Sequence, residues 1–358
     1  MKKILRIFLY GVLLLFVILL IQFAYNEYQV HRLDRSYESE TLSEKDQATI
    51  RELGILKGKY GSDIWPGFDE APIPVILFND RHEFIAGIDS AFQAWSRAGV
   101  IQNSDRIYFR RKAQDPQAFA VQTEKGWAGR FSTLDYLNRD ILTRLRRELP
   151  APVNRLMPSQ MITKSNDYHV VALVHEMFHA FQAIHSGKKF ERSNALAHWA
   201  DRYPYQRDSI DHLFTREGQC LYNALKADKR KKKLEWGQKF LRFRKQRRKL
   251  LSGKMIAFEK RYEWLEGLAK YAEMEAYRTA LSHNGQLEFS YDEEMPHWET
   301  DMKNLNDLGN VDGSTRFYLS GMAQARLLDQ IAAHWKSRIM KEQVYQEHLI
   351  AEWAGTNL

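Results

Sequence analysis

Two histidines and a glutamate near the middle of the chain have the spacing of a metal-binding helix. His175, Glu176 and His179 form the pattern H-E-x-x-H within the apolar stretch VVALVHEMFHAFQ. On an α-helix, side chains four positions apart lie on the same face, so both imidazoles can bind one ion. The glutamate beside the first histidine can then accept a proton from a zinc-bound water. The pattern predicts a hydrolytic Zn²⁺ site with His175 and His179 as ligands and Glu176 as the catalytic base.

A catalytic zinc site needs a third protein ligand and keeps one position open for water. The longer pattern H-E-x-x-H-x-x-G-x-x-H is incomplete, because Gln182 stands where it requires glycine, and His185 is therefore not chosen. We expect a carboxylate further along the chain. Glu266 is the leading candidate and lies 87 residues after His179, in the helix-compatible stretch YEWLEGLAKYAEMEAY.

Other carboxylates compete with Glu266 or would support it. Glu217 precedes a glycine, as Glu266 does, and Glu263 lies one turn before Glu266, so both stay open as alternative ligands. Glu273 is expected to hydrogen-bond a zinc-binding histidine. For each of these three residues, the competing interpretation is a solvated carboxylate on a helix face.

Amide hydrolysis also needs a donor for the negative charge that develops on the carbonyl oxygen. Tyr318, in the predicted helix that opens with TRFYLSG, is the candidate donor, and its competing role is an aromatic residue packed in the core. Arg316 is a further candidate, as an anchor for a substrate carboxylate. His169 lies six residues before His175, away from the ligand face, and is expected to face solvent or to bond the backbone.

The combination of HEMFH with WLEGLAKYAE resembles the gluzincins, metallopeptidases whose third zinc ligand is a glutamate on a second helix. Residues 264–271 are similar to the W-L-N-E-G-x-A-x-Y stretch of the aminopeptidase N group, which implies that Glu266 binds zinc. The asparagine before the ligand and the G-x-M-E-N exopeptidase motif are absent, so an endopeptidase is favoured. The whole chain also looks like uncharacterised bacterial membrane-anchored proteins that carry I-W-P-G-F, here residues 64–68, before H-E-M-x-H.

An uncharged apolar run at the N-terminus predicts a membrane anchor. Residues 7–25 are long enough to cross about 30 Å of hydrocarbon at about 1.5 Å per residue. Lys2, Lys3 and Arg6 precede the run, which favours a single-pass protein with that end in the bacterial cytoplasm and the catalytic domain outside. A cleaved signal peptide is the alternative, but its apolar region would be shorter and would end in a small-x-small site.

The net charge of +8 is unevenly distributed along the chain. Residues 226–254 carry a net charge of +12 and the N-terminal flank adds three positive charges, so the remainder is acidic, at −7. The basic stretch predicts an amphipathic helix with solvated cations, and its candidate partners are anionic lipid and an anionic cell-wall polymer. No nucleic-acid partner is expected, because the predicted topology puts this helix outside the cell.

The single cysteine, Cys220, excludes a disulfide within the chain and a multi-cysteine metal site, and is expected to be buried.

The predicted fold class is α+β and mostly helical. We expect a small, zincin-like N-terminal mixed sheet over the active-site helix, followed by a helical C-terminal subdomain. Strands are predicted at residues 74–78, 106–110 and 129–133, and a helix is predicted at 83–97. The predicted organisation is an anchor at 1–25, a stalk and short helix at 26–58 ending near Gly58, and a catalytic domain at 59–358 with a basic insertion at about 226–254.

Together these features predict a membrane-anchored zinc metallopeptidase that acts on a peptide or protein. Glu176 would pass the proton of the attacking water to the leaving amine. The strand predicted at residues 129–133 would pair with an extended peptide substrate. The alternative is a non-catalytic, zincin-like scaffold or sensor at the cell surface.

Overall fold

Helices make up most of the chain, as predicted. The computed structural model describes residues 2–36, 38–90, 92–114, 117–292 and 296–356. A π-helical segment, Glu263–Gly267, joins α8 to α9. The α-helices of the described residues are α1 (Lys2–Ser36), α2 (Glu44–Ile64), α3 (Leu134–Glu148), α4 (Val153–Leu156), α5 (Asn166–Asn194), α6 (Asp208–Lys226), α7 (Arg230–Arg248), α8 (Gly253–Tyr262), α9 (Leu268–Ser282), α10 (Pro296–Asn304), α11 (Thr315–Ile331), α12 (Trp335–Ile339) and α13 (Gln346–Ala354).

One small sheet accompanies these helices and confirms the mostly helical α+β class. Its strand order is β3-β4-β2-β1-β6-β5, and the pairs β1–β2, β2–β4 and β3–β4 are antiparallel. The apolar run of β1 is buried at all four positions, as expected for a strand inside a sheet. The strands are β1 (Val75–Phe78), β2 (His82–Ala86), β3 (Ser96–Val100), β4 (Ile107–Lys112), β5 (Phe119–Thr123) and β6 (Gly126–Ser132).

The structure confirms three predicted strands and corrects other local predictions. β1, β4 and β6 lie where strands were expected. The helix predicted at 83–97 is wrong, because Phe84 and Ile85 are buried on β2, between β1 and β4. Gly87 follows that strand with φ +86°, a conformation that suits glycine and ends the strand. The polar residues after the apolar run are helical as far as Ser36, and α2 continues to Ile64 instead of ending near Gly58.

The described chain forms two compact units that interleave along the sequence. The first unit comprises Met1–Arg51, Pro74–Ala118 and Arg130–Val170, and the second comprises Glu52–Ile73, Phe119–Gly129 and Val171–Leu358. All candidate catalytic and metal-binding residues belong to the second unit. These units are groups of dense contacts, so the predicted division into anchor, stalk and one catalytic domain stays a prediction.

Helix α1 carries the predicted membrane anchor. Among the described residues, Arg6–Asp34 is the one stretch of helix long and apolar enough to cross a membrane, and the most apolar window of it is not covered by protein. Its side chains are exposed through most of residues 7–25, whereas Asn26 and Leu33 are buried. The apolar run therefore lacks a protein partner within the described chain, while the last turns of the helix pack against protein.

Candidate metal centre

Helix α5 places His175 and His179 side by side. Their ring centroids lie 4.9 Å apart, and His179 is almost fully buried. The helix is apolar around much of its circumference, as expected for one inside the core. Its backbone leaves helical geometry at Ser186, beyond the histidines, so the helix is regular between His175 and His179. The buried apolar residues that hold this part of α5 are Val171, Leu173, Val174, Met177, Phe178, Ala180 and Phe181.

The π-helical segment brings Glu266 to both histidines. Glu266 Oε2 lies 3.4 Å from His175 Nε2 and 3.3 Å from His179 Nε2. Among the described residues, these three side chains are the one group whose ligand atoms could hold a metal ion, all within 4.8 Å of one another. Two imidazole nitrogens and one carboxylate oxygen are a donor set that suits Zn²⁺ and leaves a position open. A single π turn inside helical structure is itself frequent at functional sites.

The two alternative ligands are engaged elsewhere. Glu217 accepts hydrogen bonds from Arg244 and Arg247, and Glu263 accepts two from Arg244 and one from Ser320. All of these side chains are buried. Neither carboxylate belongs to the histidine cluster, so the geometry selects Glu266 among the three sequence candidates.

Each histidine has a hydrogen-bond partner on the nitrogen that faces away from Glu266. Glu273 Oε2 lies 3.1 Å from His175 Nδ1, as the sequence predicted. Gln182 Oε1 lies 3.0 Å from His179 Nδ1. When Nδ1 carries the proton and donates to these acceptors, each Nε2 presents its lone pair to a metal. Both imidazoles are thus held in the tautomer that metal binding requires.

Gln182 is the site residue that the sequence reasoning missed. Its amide nitrogen donates to the carbonyl oxygens of Trp264 and Leu265, over 2.8 and 3.1 Å. One side chain therefore links His179 to the backbone that carries Glu266. The available signal was position: Gln182 lies three residues after His179 on a buried helix, where an uncharged polar side chain needs a partner.

Glu176 has the surroundings expected of a base that acts on water. It is buried beside the histidines, and its Oε2 has no hydrogen-bond partner among the described residues. Burial raises the pKa of Glu176, and the carboxylates of Glu266 and Glu273 raise it further, while the two histidines oppose that shift. A buried carboxylate oxygen without a protein donor is suited to hydrogen-bond a water at the cluster.

Tyr318 reaches the cluster through a close helix crossing. Its ring stacks on His175 at 6.0 Å, and burial together with the nearby Glu266 and Tyr262 raises the pKa of its hydroxyl. A Cβ added to Gly267 would lie 2.5 Å from Gly321 Cα, so the π-helical segment and α11 approach at two glycines. Tyr318 lies one turn before that contact.

The electrostatics of the cluster favour a cation. Burial opposes ionisation of Glu266, but His179 and His175 hold its pKa well below the ordinary value. Burial also opposes protonation of His175, yet the hydrogen bonds that its ring donates to Glu266 and Glu273 raise the pKa of His175 to about 10. The same carboxylates would attract a divalent cation, which therefore competes with that proton. Metal affinity should consequently fall as the pH falls.

Other histidines and Arg316 lie outside the cluster. His169 is buried in the first unit, where Nε2 lies 2.8 Å from the carbonyl oxygen of Ser132, so the backbone alternative is confirmed and the solvent-facing one is wrong. His185 is exposed and lies against Phe181. Arg316 is buried and bonds protein groups, including Asp211, so it cannot anchor a substrate carboxylate.

The I-W-P-G-F segment supports helix α5 from within the second unit. Trp65 is buried against Phe178 of α5, with ring centroids 5.0 Å apart, and against Tyr271 and Trp335. Phe68 packs on Phe178 and Phe181. This aromatic packing fixes the apolar side of α5, which leaves the histidine face to the cluster.

The basic stretch folds as α7 and is not wholly a solvated surface. Most of its lysines and arginines are exposed, but Arg244 and Arg247 are fully buried. Arg247 pairs with Glu217 and Glu259, and Arg244 pairs with Glu217, Glu263 and Glu347. Cys220, on the neighbouring α6, is buried as expected. The predicted insertion therefore contributes two cations to the core beside the π-helical segment.

Comparison with known proteins assigns no family and no function to this site. No protein-family model, curated protein or solved structure matches the chain.

Proposed function

We propose that the protein is a zinc-dependent hydrolase that cleaves peptide bonds. The observation that carries the proposal is the convergence of two histidine Nε2 atoms on one Glu266 oxygen, beside the unpartnered Oε2 of Glu176. The donor set and that orphaned oxygen fit a catalytic zinc site, in which a metal holds three protein ligands and a water. The resemblance of both helices to gluzincin motifs supports the same class.

His175, His179 and Glu266 would hold the ion, which supplies a Lewis acid that acidifies water and polarises a carbonyl. Glu176 Oε2 would accept a proton from the attacking water and return it to the leaving amine nitrogen. The Tyr318 hydroxyl would donate to the developing oxyanion, since its ring stacks on the proposed ligand His175. Burial raises the pKa of Tyr318, and nearby Glu266 adds to that effect, so the hydroxyl keeps its proton at neutral pH.

An edge strand offers a place for an extended peptide. The strand that we expected to bind substrate became β6, which is paired on both sides with β1 and β5. β5 is the terminal strand of the sheet, and the Phe119 ring lies 4.6 Å from the His179 ring. A peptide that adds to the open edge of β5 would therefore run close to the cluster. This placement supports a peptide over a small amide as the substrate.

We further propose that α1 anchors the protein in a bacterial cytoplasmic membrane and leaves the hydrolase outside the cytoplasm. The proposal is supported by the exposed apolar run and the three basic residues before it. An anionic partner for the basic stretch remains part of the proposal. A cleft of about 820 Å³ supports it, because six cations line it against the two carboxylates of Glu235 and Glu347. The cations are Lys239, Arg242, Arg244, Lys245, Arg248 and Lys260.

Replacement of the base tests whether the protein is an enzyme. Glu176→Gln should retain zinc and lose hydrolysis of casein or a peptide library by about 10²–10⁴-fold, because general base catalysis is removed. Glu191→Gln is the matched control, since Glu191 is an exposed carboxylate on the same helix. Equal activity of wild type and Glu176→Gln, or none in either with zinc bound, would favour a non-catalytic scaffold or sensor.

A further inference from the structure

The C-terminal part of α1 is held to the protein by hydrogen bonds and an ion pair at Asn26 and Glu27. Asn26 Nδ2 donates to the carbonyl oxygens of Arg155 and Met157, over 2.7 and 2.9 Å, and the Ser159 amide donates to Asn26 Oδ1. Asn26 is nearly fully buried. Glu27 pairs with Arg146 on α3 in the next position along the helix. These contacts fix the segment around α4 beside the residue at which the uncharged run ends.

The position of Asn26 also marks an expected membrane boundary. The apolar run of residues 7–25 matches a hydrocarbon core of about 30 Å at about 1.5 Å per residue. A helix that spans the bilayer with this run therefore leaves the hydrocarbon near Asn26. Whatever is hydrogen-bonded to Asn26 lies at the interfacial level of the outer leaflet.

The segment at that level exposes apolar side chains. We define residues 153–161 as the interfacial segment. Val153 is 48% exposed, Met157 39% and Met161 82%, whereas most large apolar residues outside α1 are buried. Arg147 and Arg155, beside or within the segment, are exposed as well. Apolar side chains flanked by arginines are the composition that binds the boundary between headgroups and acyl chains.

We propose that the interfacial segment is a second membrane contact, in which Val153, Met157 and Met161 insert at the headgroup boundary of the outer leaflet. The inference rests on the proposed anchoring through α1. The lipid bilayer is the expected partner of this segment. The anchor helix α1 belongs to the same chain and is hydrogen-bonded to the segment, so it holds the segment beside the bilayer in every molecule. Two contacts would restrict rocking of the first unit about the anchor. The contact would also remove from water an apolar surface that the rest of the described protein leaves uncovered.

Depth-dependent fluorescence quenching of the full chain in vesicles tests the proposal. The probe is bimane on single cysteines introduced in a Cys220→Ala background, in vesicles of phosphatidylglycerol and phosphatidylcholine. The lipid is unlabelled, or is spin-labelled near the headgroup for the surface positions and deep in the acyl chain for the anchor position. Met161→Cys and Met157→Cys are the test positions, and both replace exposed side chains. Leu15→Cys reports the anchor itself. Val100→Cys is the matched control, because Val100 is 46% exposed in the first unit but lies on β3, away from Asn26 in sequence.

The expected result is a loss of about half of the bimane emission at Met161→Cys and Met157→Cys, with little loss at Val100→Cys, as for side chains at the headgroup boundary. Quenching at Leu15→Cys without quenching at either methionine position would overturn the interfacial contact and leave the anchor intact. No quenching at any position would overturn both. Equal quenching at the methionine positions and at Val100→Cys would also contradict a specific contact.

Discussion

Arg244 donates to both carboxylate oxygens of Glu263, over 2.7 and 2.6 Å, three residues before the proposed ligand Glu266. Ser320 of α11 donates to the same carboxylate, and its neighbour Gly321 contacts Gly267 of the π-helical segment. The basic helix α7, which looks like a surface insertion in the sequence, therefore holds the backbone that carries the proposed third ligand. Glu263 and its arginine position Glu266 without touching the proposed ion.

Removal of the Arg244 guanidinium should weaken both the fold and the zinc site. Arg244→Met leaves Glu263 without its arginine, and an uncompensated buried charge costs about 3–5 kcal/mol of unfolding free energy. Glu217 keeps Arg247, and Glu347 keeps Arg248. Addition of Glu263→Gln to Arg244→Met should therefore restore part of the stability. Urea unfolding measures both effects, and equal stability of the single and double variants would contradict the account.

Loss of the His175 partner should weaken zinc binding without abolishing it. Glu273→Gln removes the charged acceptor at His175 Nδ1, and changes of this kind typically cost about 10–100-fold in metal affinity. Glu275→Gln is the control on the same helix, because Glu275 pairs with Arg278 and Arg326. Competition with a fluorescent zinc chelator measures the affinities. Identical values for the two variants would show that Glu273 does not orient His175.

Tyr318 should affect the rate more than the metal. Tyr318→Phe removes the hydroxyl donor and keeps the ring that stacks on His175. Loss of one oxyanion donor costs about 10²–10³-fold in kcat, and we expect KM and zinc content to stay close to those of wild type. Steady-state kinetics with zinc analysis separate the possibilities. A variant that loses zinc would instead identify Tyr318 as a positioning residue for Glu266.

The buried arginine–glutamate pairs should make stability depend on acid pH. Burial opposes ionisation of Glu259, but Arg247 and Arg248 lower the pKa of Glu259 to about 2, from an ordinary value of 4.5. Because the folded-state pKa is lower, the stabilisation is complete above about pH 4.5 and is lost as the pH falls towards about 2. Glu259→Gln should flatten the decline of the urea midpoint over this range.

Glu352→Gln provides the contrast for the pH experiment. Glu352 pairs with Arg338 at the surface, where ion pairs contribute little to stability. Its replacement should leave the acid dependence of the urea midpoint nearly unchanged. An equal flattening by Glu352→Gln and Glu259→Gln would contradict a special role for the buried pairs.

The features that depend on residues close together in the chain could be predicted from the sequence. The H-E-x-x-H spacing is a property of one helix, so the relation of His175 to His179 needed no tertiary information. The apolar runs likewise indicated β1 and α1. Glu266 was predicted because the stretch around it resembles a known ligand helix, and Glu273 because a zinc-binding histidine needs a hydrogen-bond partner.

The contacts between residues far apart in the chain could not be predicted. Gln182 bonds carbonyl groups more than 80 residues away, and nothing in its neighbourhood shows that contact. The charge run around Arg244 suggested a solvated face, because lysine and arginine composition dominated the pattern. A weak signal existed: Phe240, Arg244 and Arg247 share one helix face with buried neighbours. The helix predicted at 83–97 failed because pairing with β1 and β4 outweighed its local pattern.

Elemental zinc analysis of the purified full chain tests the central claim most directly. The account predicts one zinc per chain in wild type and in Glu217→Gln, because Glu217 is engaged by Arg244 and Arg247. It predicts a strong loss of zinc in Glu266→Ala, since one of three ligands is removed. Wild type without stoichiometric zinc, or full zinc occupancy in Glu266→Ala, would contradict the proposed metal centre.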